Sequence, residues 1–172
     1  MTDADYENMS AFSCGVEELD RFLCYEVKEC VNYRYLSAYC AYSSTNEIIA
    51  VFTLMNDALM IGGQDEKEDF FYDLRLDVEG DRFDLFKCQS SFPAINIGHL
   101  GISVNHQNQG IGTAIIDFVA ATFCQYRQAG CQFVTVDAIN NNRTIKFYLA
   151  NGFSFQTNRD MYSSTRRMYR IL

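Results

Sequence analysis

Gln107-Asn108-Gln109-Gly110-Ile111-Gly112-Thr113 joins a strand-like segment to a helix-like one. Two glycines at such a junction let the backbone approach a ligand closely. The helix that follows presents unpaired N–H groups and a positive dipole end. Together these bind phosphate without a basic side chain. Two other phosphate loops are excluded. Ile115 stands where a dinucleotide fingerprint needs its third glycine, and no Gly-Lys-Ser or Gly-Lys-Thr occurs.

A second stretch, Asn141-Asn142-Arg143-Thr144-Ile145-Lys146-Phe147-Tyr148-Leu149-Ala150-Asn151-Gly152-Phe153, lies downstream. Tyr148 lies within it, seven residues after Asn141. His99 is the one histidine on the strand before the glycines and has a suitable pKa for a general base. Asp137 and Asp57 are weaker candidates, and water or an already neutral amine remains open. His106 belongs to the loop and is expected to be exposed.

Both stretches resemble the GCN5-related N-acetyltransferases, the GNAT superfamily. Its diphosphate loop reads Gln/Arg-x-x-Gly-x-Gly/Ala after a strand ending like Leu-Ala-Val, here Leu100-Gly101-Ile102. Its later motif reads Asn-x-x-Ala-x-x-Phe-Tyr-x-x-x-Gly-Phe, with Thr144 here in place of Ala. The resemblance implies acetyl-CoA as cosubstrate. Gln107 and the Asn108, Gln109, Gly110, Ile111, Gly112 and Thr113 backbone would hold its diphosphate. Leu100, Ile102 and Val104 would line the pantetheine arm, where an N–H would also stabilise the oxyanion. Asn141 would bond the same arm, and Tyr148 would sit at the sulfur. It would donate a proton to the leaving thiolate, since a phenol near pKa roughly 10 lies close to a thiol at roughly 8.5. It implies direct attack of a primary amine of a small molecule or protein, without a covalent enzyme intermediate. A homodimer is compatible with the family.

Phe12-Ser13-Cys14-Gly15-Val16-Glu17-Glu18-Leu19-Asp20-Arg21-Phe22-Leu23 resembles one branch of that superfamily, the toxins that acetylate aminoacyl-tRNA. A tRNA acceptor is therefore the second reading, and a non-catalytic acyl-CoA-binding module the third. The net charge of −8 disfavours nucleic acid, and the acids of the segment at about 62–91 favour a cationic amine such as a polyamine or lysine side chain. Arg166, Arg167 and Arg170 form the clearest basic cluster and are expected on a solvated face.

The elements that must position these residues follow from periodicity. Apolar spacing predicts helices over Val16–Tyr33, about Gly110–Gln128 (stripe Ile111, Ile115, Phe118, Val119, Phe123) and Asn142–Ala150. Strands are expected over Leu36–Tyr42, Ile48–Leu54, Ala94–Val104 with a bulge near Gly98, Cys131–Ala138, Phe153–Thr157 and Arg167–Leu172. That order predicts an α/β (α+β) domain, with a mixed, mainly antiparallel sheet flanked by helices and, by the resemblance, a splayed strand pair for acetyl-CoA.

The whole chain, 1–172, reads as one domain with an acidic insert at about 62–91. Nine acids face three bases between Asp65 and Asp84. The insert is expected to be solvated, with a short helix near Phe70–Leu76 and Phe70, Phe71 and Tyr72 pinning it to the core. The seven cysteines are scattered, with no Cys-x-x-Cys, and read as reduced buried thiols rather than a metal site. An acidic N-terminus without a signal pattern and the lack of a long apolar run suggest the cytoplasm and no membrane partner.

Overall fold

The computed structural model describes residues 1–62, 64–77, 80–87 and 89–172. Cys88 and Glu79 lie outside them, as do the side chains of Asp65, Glu66, Asp73, Asp77 and Asp81. In chain order the elements are α1 (Asp3–Asn8), α2 (Glu17–Arg21), α3 (Val27–Asn32), β1 (Ser37–Tyr42), β2 (Ile48–Met60), α4 (Gln64–Asp77), α5 (Gly80–Lys87), β3 (Ser91–Ile102), α6 (Ile111–Gln125), β4 (Phe133–Ile139), α7 (Asn142–Ala150), β5 (Ser154–Phe155) and β6 (Thr165–Ile171). The strands form one six-stranded sheet in the order β1-β2-β3-β4-β6-β5. β1–β2, β4–β6 and β5–β6 pair antiparallel. This is the expected mixed α/β class.

The chain clusters into two compact units, residues 1–56 with 96–121 and residues 57–95 with 122–172. In the first, α2 and α3 are one helical run joined by a π-helical turn, Phe22–Glu26. Its apolar side buries Leu23 and Val27 with Met9, Phe12, Ile48, Val51, Leu36 and Ala38. α1 is started by a capping box, in which Thr2 and Asp5 each accept the other's backbone N–H. β2 extends six residues past the expected Leu54, because alternation resumes at Leu59 after the polar Asn56 and Asp57.

In the second unit the insert departs from expectation. It holds two helices rather than one, and several of its apolar side chains belong to the core. Phe70, Leu74, Phe83 and Phe86 are buried with Leu59, Phe92, Phe133 and Tyr169. Phe70 lies 5.5 Å from Phe92 and 5.3 Å from Tyr169, ring centre to ring centre. Tyr72 does not help to pin the insert: it is 71% exposed. One helical turn separates only residues three or four apart, so Phe70 and Leu74 share a face that Tyr72 cannot join.

On α6 the buried stripe is Ile115, Ile116, Val119 and Ala120, while Phe118 is 57% exposed. The apolar face is thus turned from the expected one, onto the two consecutive isoleucines. Arg166 and Arg167 do not form a solvated face. Arg166 is buried, bonds Asp160 at 2.7 Å and lies 4.0 Å over the Phe155 ring.

Candidate functional site

β3 stops at Ile102 rather than Val104. The Ser103 N–H donates to the Ile49 carbonyl at 2.9 Å, and Val104–His106 turn as a single 3₁₀ helix. Val104 therefore leaves the strand, and its N–H donates to the Ser13 carbonyl at 2.9 Å. Leu100 and Ile102 stay in β3, both half-buried. Gly101 between them has Leu23 Cδ1 3.0 Å from where its Cβ would be, which explains glycine at this point.

Asn108 (φ 61°) and Gly110 (φ 80°) then adopt left-handed conformations, and α6 begins at Ile111. Across this junction the Ala114 N–H donates to the Gly110 carbonyl at 3.0 Å. The amides of Ile111, Gly112 and Thr113 belong to the first turn, where no carbonyl four residues back lies within the helix. Left-handed residues before a helix start aim successive N–H groups into one concavity that takes an anion. A Cβ at Gly110 would meet nothing within 4 Å, so its side of the cradle is open. Gln107 turns its side chain away: Nε2 donates to the carbonyls of Cys14 (2.8 Å) and Ile102 (3.2 Å). Gln109 Nε2 donates to Asn105 O at 3.2 Å.

In the other unit Asn141 caps α7, its Oδ1 accepting from the Thr144 N–H at 2.8 Å. That oxygen is committed to the helix, so only its amide N–H groups are left for a ligand. Asn140 Nδ2 donates to the Met161 and Ser163 carbonyls at 2.9 and 2.8 Å, fixing the turn before α7. Tyr148 is buried between Phe147 and Phe153, with ring centres 5.1 and 5.2 Å away. Burial pushes its phenol up to about 12. This widens the gap to a thiol from the expected one or two units to roughly 3.5.

The base candidates separate clearly. His99 Nδ1 is 3.0 Å from the Thr53 hydroxyl, and its ring stacks on Phe22 at 3.9 Å. Burial lowers its pKa, which keeps the imidazole neutral near pH 7. Asp57 and Asp137 both pair with Arg167, the latter at 2.8 Å, and Asp57 also accepts the Thr135 hydroxyl proton. His106 is half-buried, not exposed, and its Nδ1 is buried without a hydrogen-bond partner among the described residues.

Residues 76–155 match the family model described as an acetyltransferase (GNAT) domain, a span that includes both the Gly110 loop and Tyr148. The matched span, just under half of the chain, is similar to a GNAT acetyltransferase domain, whose chemistry is N-acetylation with acetyl-CoA as cosubstrate. No curated protein sequence matches it significantly. Solved structures similar to it include a tyrosine-to-phenylalanine mutant of KacT (TM-score 0.72, 18% identity, covering 99% of this chain and 91% of that one). Another is AtaTR bound with acetyl-CoA (0.64, 20%, 98% and 87%). A third is AtaT complexed with acetyl-methionyl-tRNA (0.66, 18%, 92% and 85%). At these identities the likeness is one of fold. Among the described residues no three His, Cys, Asp or Glu side chains are placed to hold a metal.

The Asn108–Gly110 loop fits a diphosphate on the observations above: two left-handed residues, an open glycine and a fifteen-residue helix behind them. Thr53, which orients His99, was not singled out in the sequence. Its signal is that it is the sole polar residue in the apolar run Ile48–Leu54.

Proposed function

We propose that the protein transfers acetyl directly from acetyl-CoA to the primary amine of a small molecule or a protein, in the cytoplasm. The observation that carries this reading is the left-handed Asn108–Gly110 turn opening α6, in a chain that also buries Tyr148 behind the Asn141 cap.

Acetyl-CoA supplies the acetyl group as a thioester. The amides of Asn108 to Thr113 hold its diphosphate, and Leu100, Ile102 and an Asn141 side-chain N–H contact the pantetheine. Val104 contributes no backbone N–H, because Ser13 already takes it. His99 Nε2 accepts the proton released as the amine nitrogen bonds to the acetyl carbon. This requires the tautomer whose Nδ1–H donates to Thr53. Tyr148 hydrogen-bonds the thiolate released as the C–S bond breaks. With its phenol near 12, it acts as a donor to growing charge and does not need to surrender the proton early.

The second reading is a toxin that acetylates the amino group of aminoacyl-tRNA. Its support is the Phe12–Leu23 segment and the fold shared with KacT and AtaT over 92% or more of this chain. The test is acetyl-CoA turnover against a panel of amines, proteins and charged tRNAs. Turnover by wild type that Tyr148→Phe abolishes while still binding coenzyme A supports the reading. A wild type that binds no coenzyme A sinks it.

A further inference from the structure

The segment Ser13-Cys14-Gly15 is tied on both sides within one unit. On its helix side Asp20 accepts from the Ser13 hydroxyl at 2.6 Å and from the Cys14 N–H at 2.7 Å, and Ser13 Oγ accepts from the Gly15 N–H at 3.1 Å. On its other side the Ser13 carbonyl accepts from the Val104 N–H at 2.9 Å. The Cys14 carbonyl accepts from Gln107 Nε2 at 2.8 Å. Gly15 is left-handed (φ 80°), and a Cβ there would sit 3.1 Å from Val104 Cγ1. The two chain segments therefore touch backbone to backbone. Burial works against ionisation of Asp20, but hydrogen bonds from Cys14, Ser13 and Gly15 outweigh it and hold the carboxyl below its ordinary value.

Gln107 is the residue immediately before the left-handed Asn108. Whatever fixes Gln107 and Val104 fixes where the amides of the cradle begin. A loop held in its binding conformation loses less freedom when an anion arrives, so it binds tighter than one that must order itself. Within the proposed acetyltransferase reading, we propose that Asp20 is a positioning residue for acetyl-CoA: through the Ser13–Gly15 clasp and Gln107 it presets the diphosphate loop without touching the ligand. The twelve-residue segment that resembles the toxin branch thereby gains a role in holding the cosubstrate, whatever amine the enzyme acetylates.

The test compares coenzyme A with pantetheine, which lacks the diphosphate, by calorimetry on the full chain. Asp20→Ala raises the Kd for coenzyme A about tenfold and leaves that for pantetheine within about twofold. Asp20→Asn keeps an acceptor for the Cys14 N–H and shows a smaller rise. Gln107→Ala cuts the other side of the clasp and reproduces the selective loss if Asp20→Ala does not fold. An unchanged Kd for coenzyme A overturns the proposal, and so does an equal loss for both ligands, which marks general loosening. Either result with normal wild-type binding leaves the acetyltransferase reading standing. A wild type without affinity for coenzyme A would instead end that reading.

Discussion

At the scale of single residues, environment decides which chemistry each side chain can do. Tyr148 is placed in a chain of aromatic contacts that holds its phenol protonated to about pH 12. Removing only the hydroxyl, in Tyr148→Phe, lowers kcat roughly 100-fold, as loss of a positioned donor does. Coenzyme A affinity stays within about twofold, as calorimetry would show. The same burial ties stability to alkaline pH. The unfolded phenol loses its proton near 10 while the folded one keeps it to about 12, so unfolding is favoured as pH rises through that window. The loss from this group is about 2–3 kcal/mol over the whole window and about half of that by pH 11. Urea unfolding at pH 9 and pH 11 should show it in wild type and show less in Tyr148→Phe. His99 titrates in the opposite direction, since burial lowers its pKa. If it is the base, the acid limb of kcat/KM falls below pH 6.5, and His99→Ala removes that limb. A limb unchanged in the variant returns the role to water or to a deprotonated substrate.

At the scale of elements, the readable features were those set by local rules. The Gly110 loop, the helix behind it and the short helix Asn142–Ala150 all sit where the turn residues put them, while the Asn141 cap was not read. Gly110→Ala tests the loop directly. Its Cβ meets nothing, so the stability cost is that of the left-handed backbone alone, about 1 kcal/mol. Coenzyme A affinity should fall by more than that, because the methyl group enters the open side of the cradle. The insert was harder to read. Its charges hid that Phe70, Leu74, Phe83 and Phe86 close a shared core, a fact that depends on Phe92, Phe133 and Tyr169 far along the chain. Likewise, no local signal shows that Asp57 and Asp137 both meet Arg167 from a distant strand. Phe70→Ala should cost about 3–4 kcal/mol in chemical denaturation, while exposed Tyr72→Ala should cost almost nothing. Equal effects would return the insert to a loosely attached lobe.

At the scale of the whole molecule, the acceptor is a question of charge. The chain carries −8, and two of the arginines in its clearest basic cluster, Arg166 and Arg167, are engaged with Asp160, Asp57 and Asp137. They are therefore poorly placed to neutralise phosphates. A tRNA acceptor would have to be gripped by other cations, and each phosphate contact would add nearly one unit to the slope of log affinity against log salt. A polyamine or lysine side chain needs no such grip, because an acidic surface attracts it directly and salt screens that attraction. Turnover with a cationic amine should therefore exceed that with charged tRNA, and its KM should rise only a few-fold as salt goes from about 50 to 200 mM. If charged tRNA is instead the faster acceptor, with a steep salt slope, the second reading replaces the first. The net charge of the chain would then be a poor guide to the charge of its cleft.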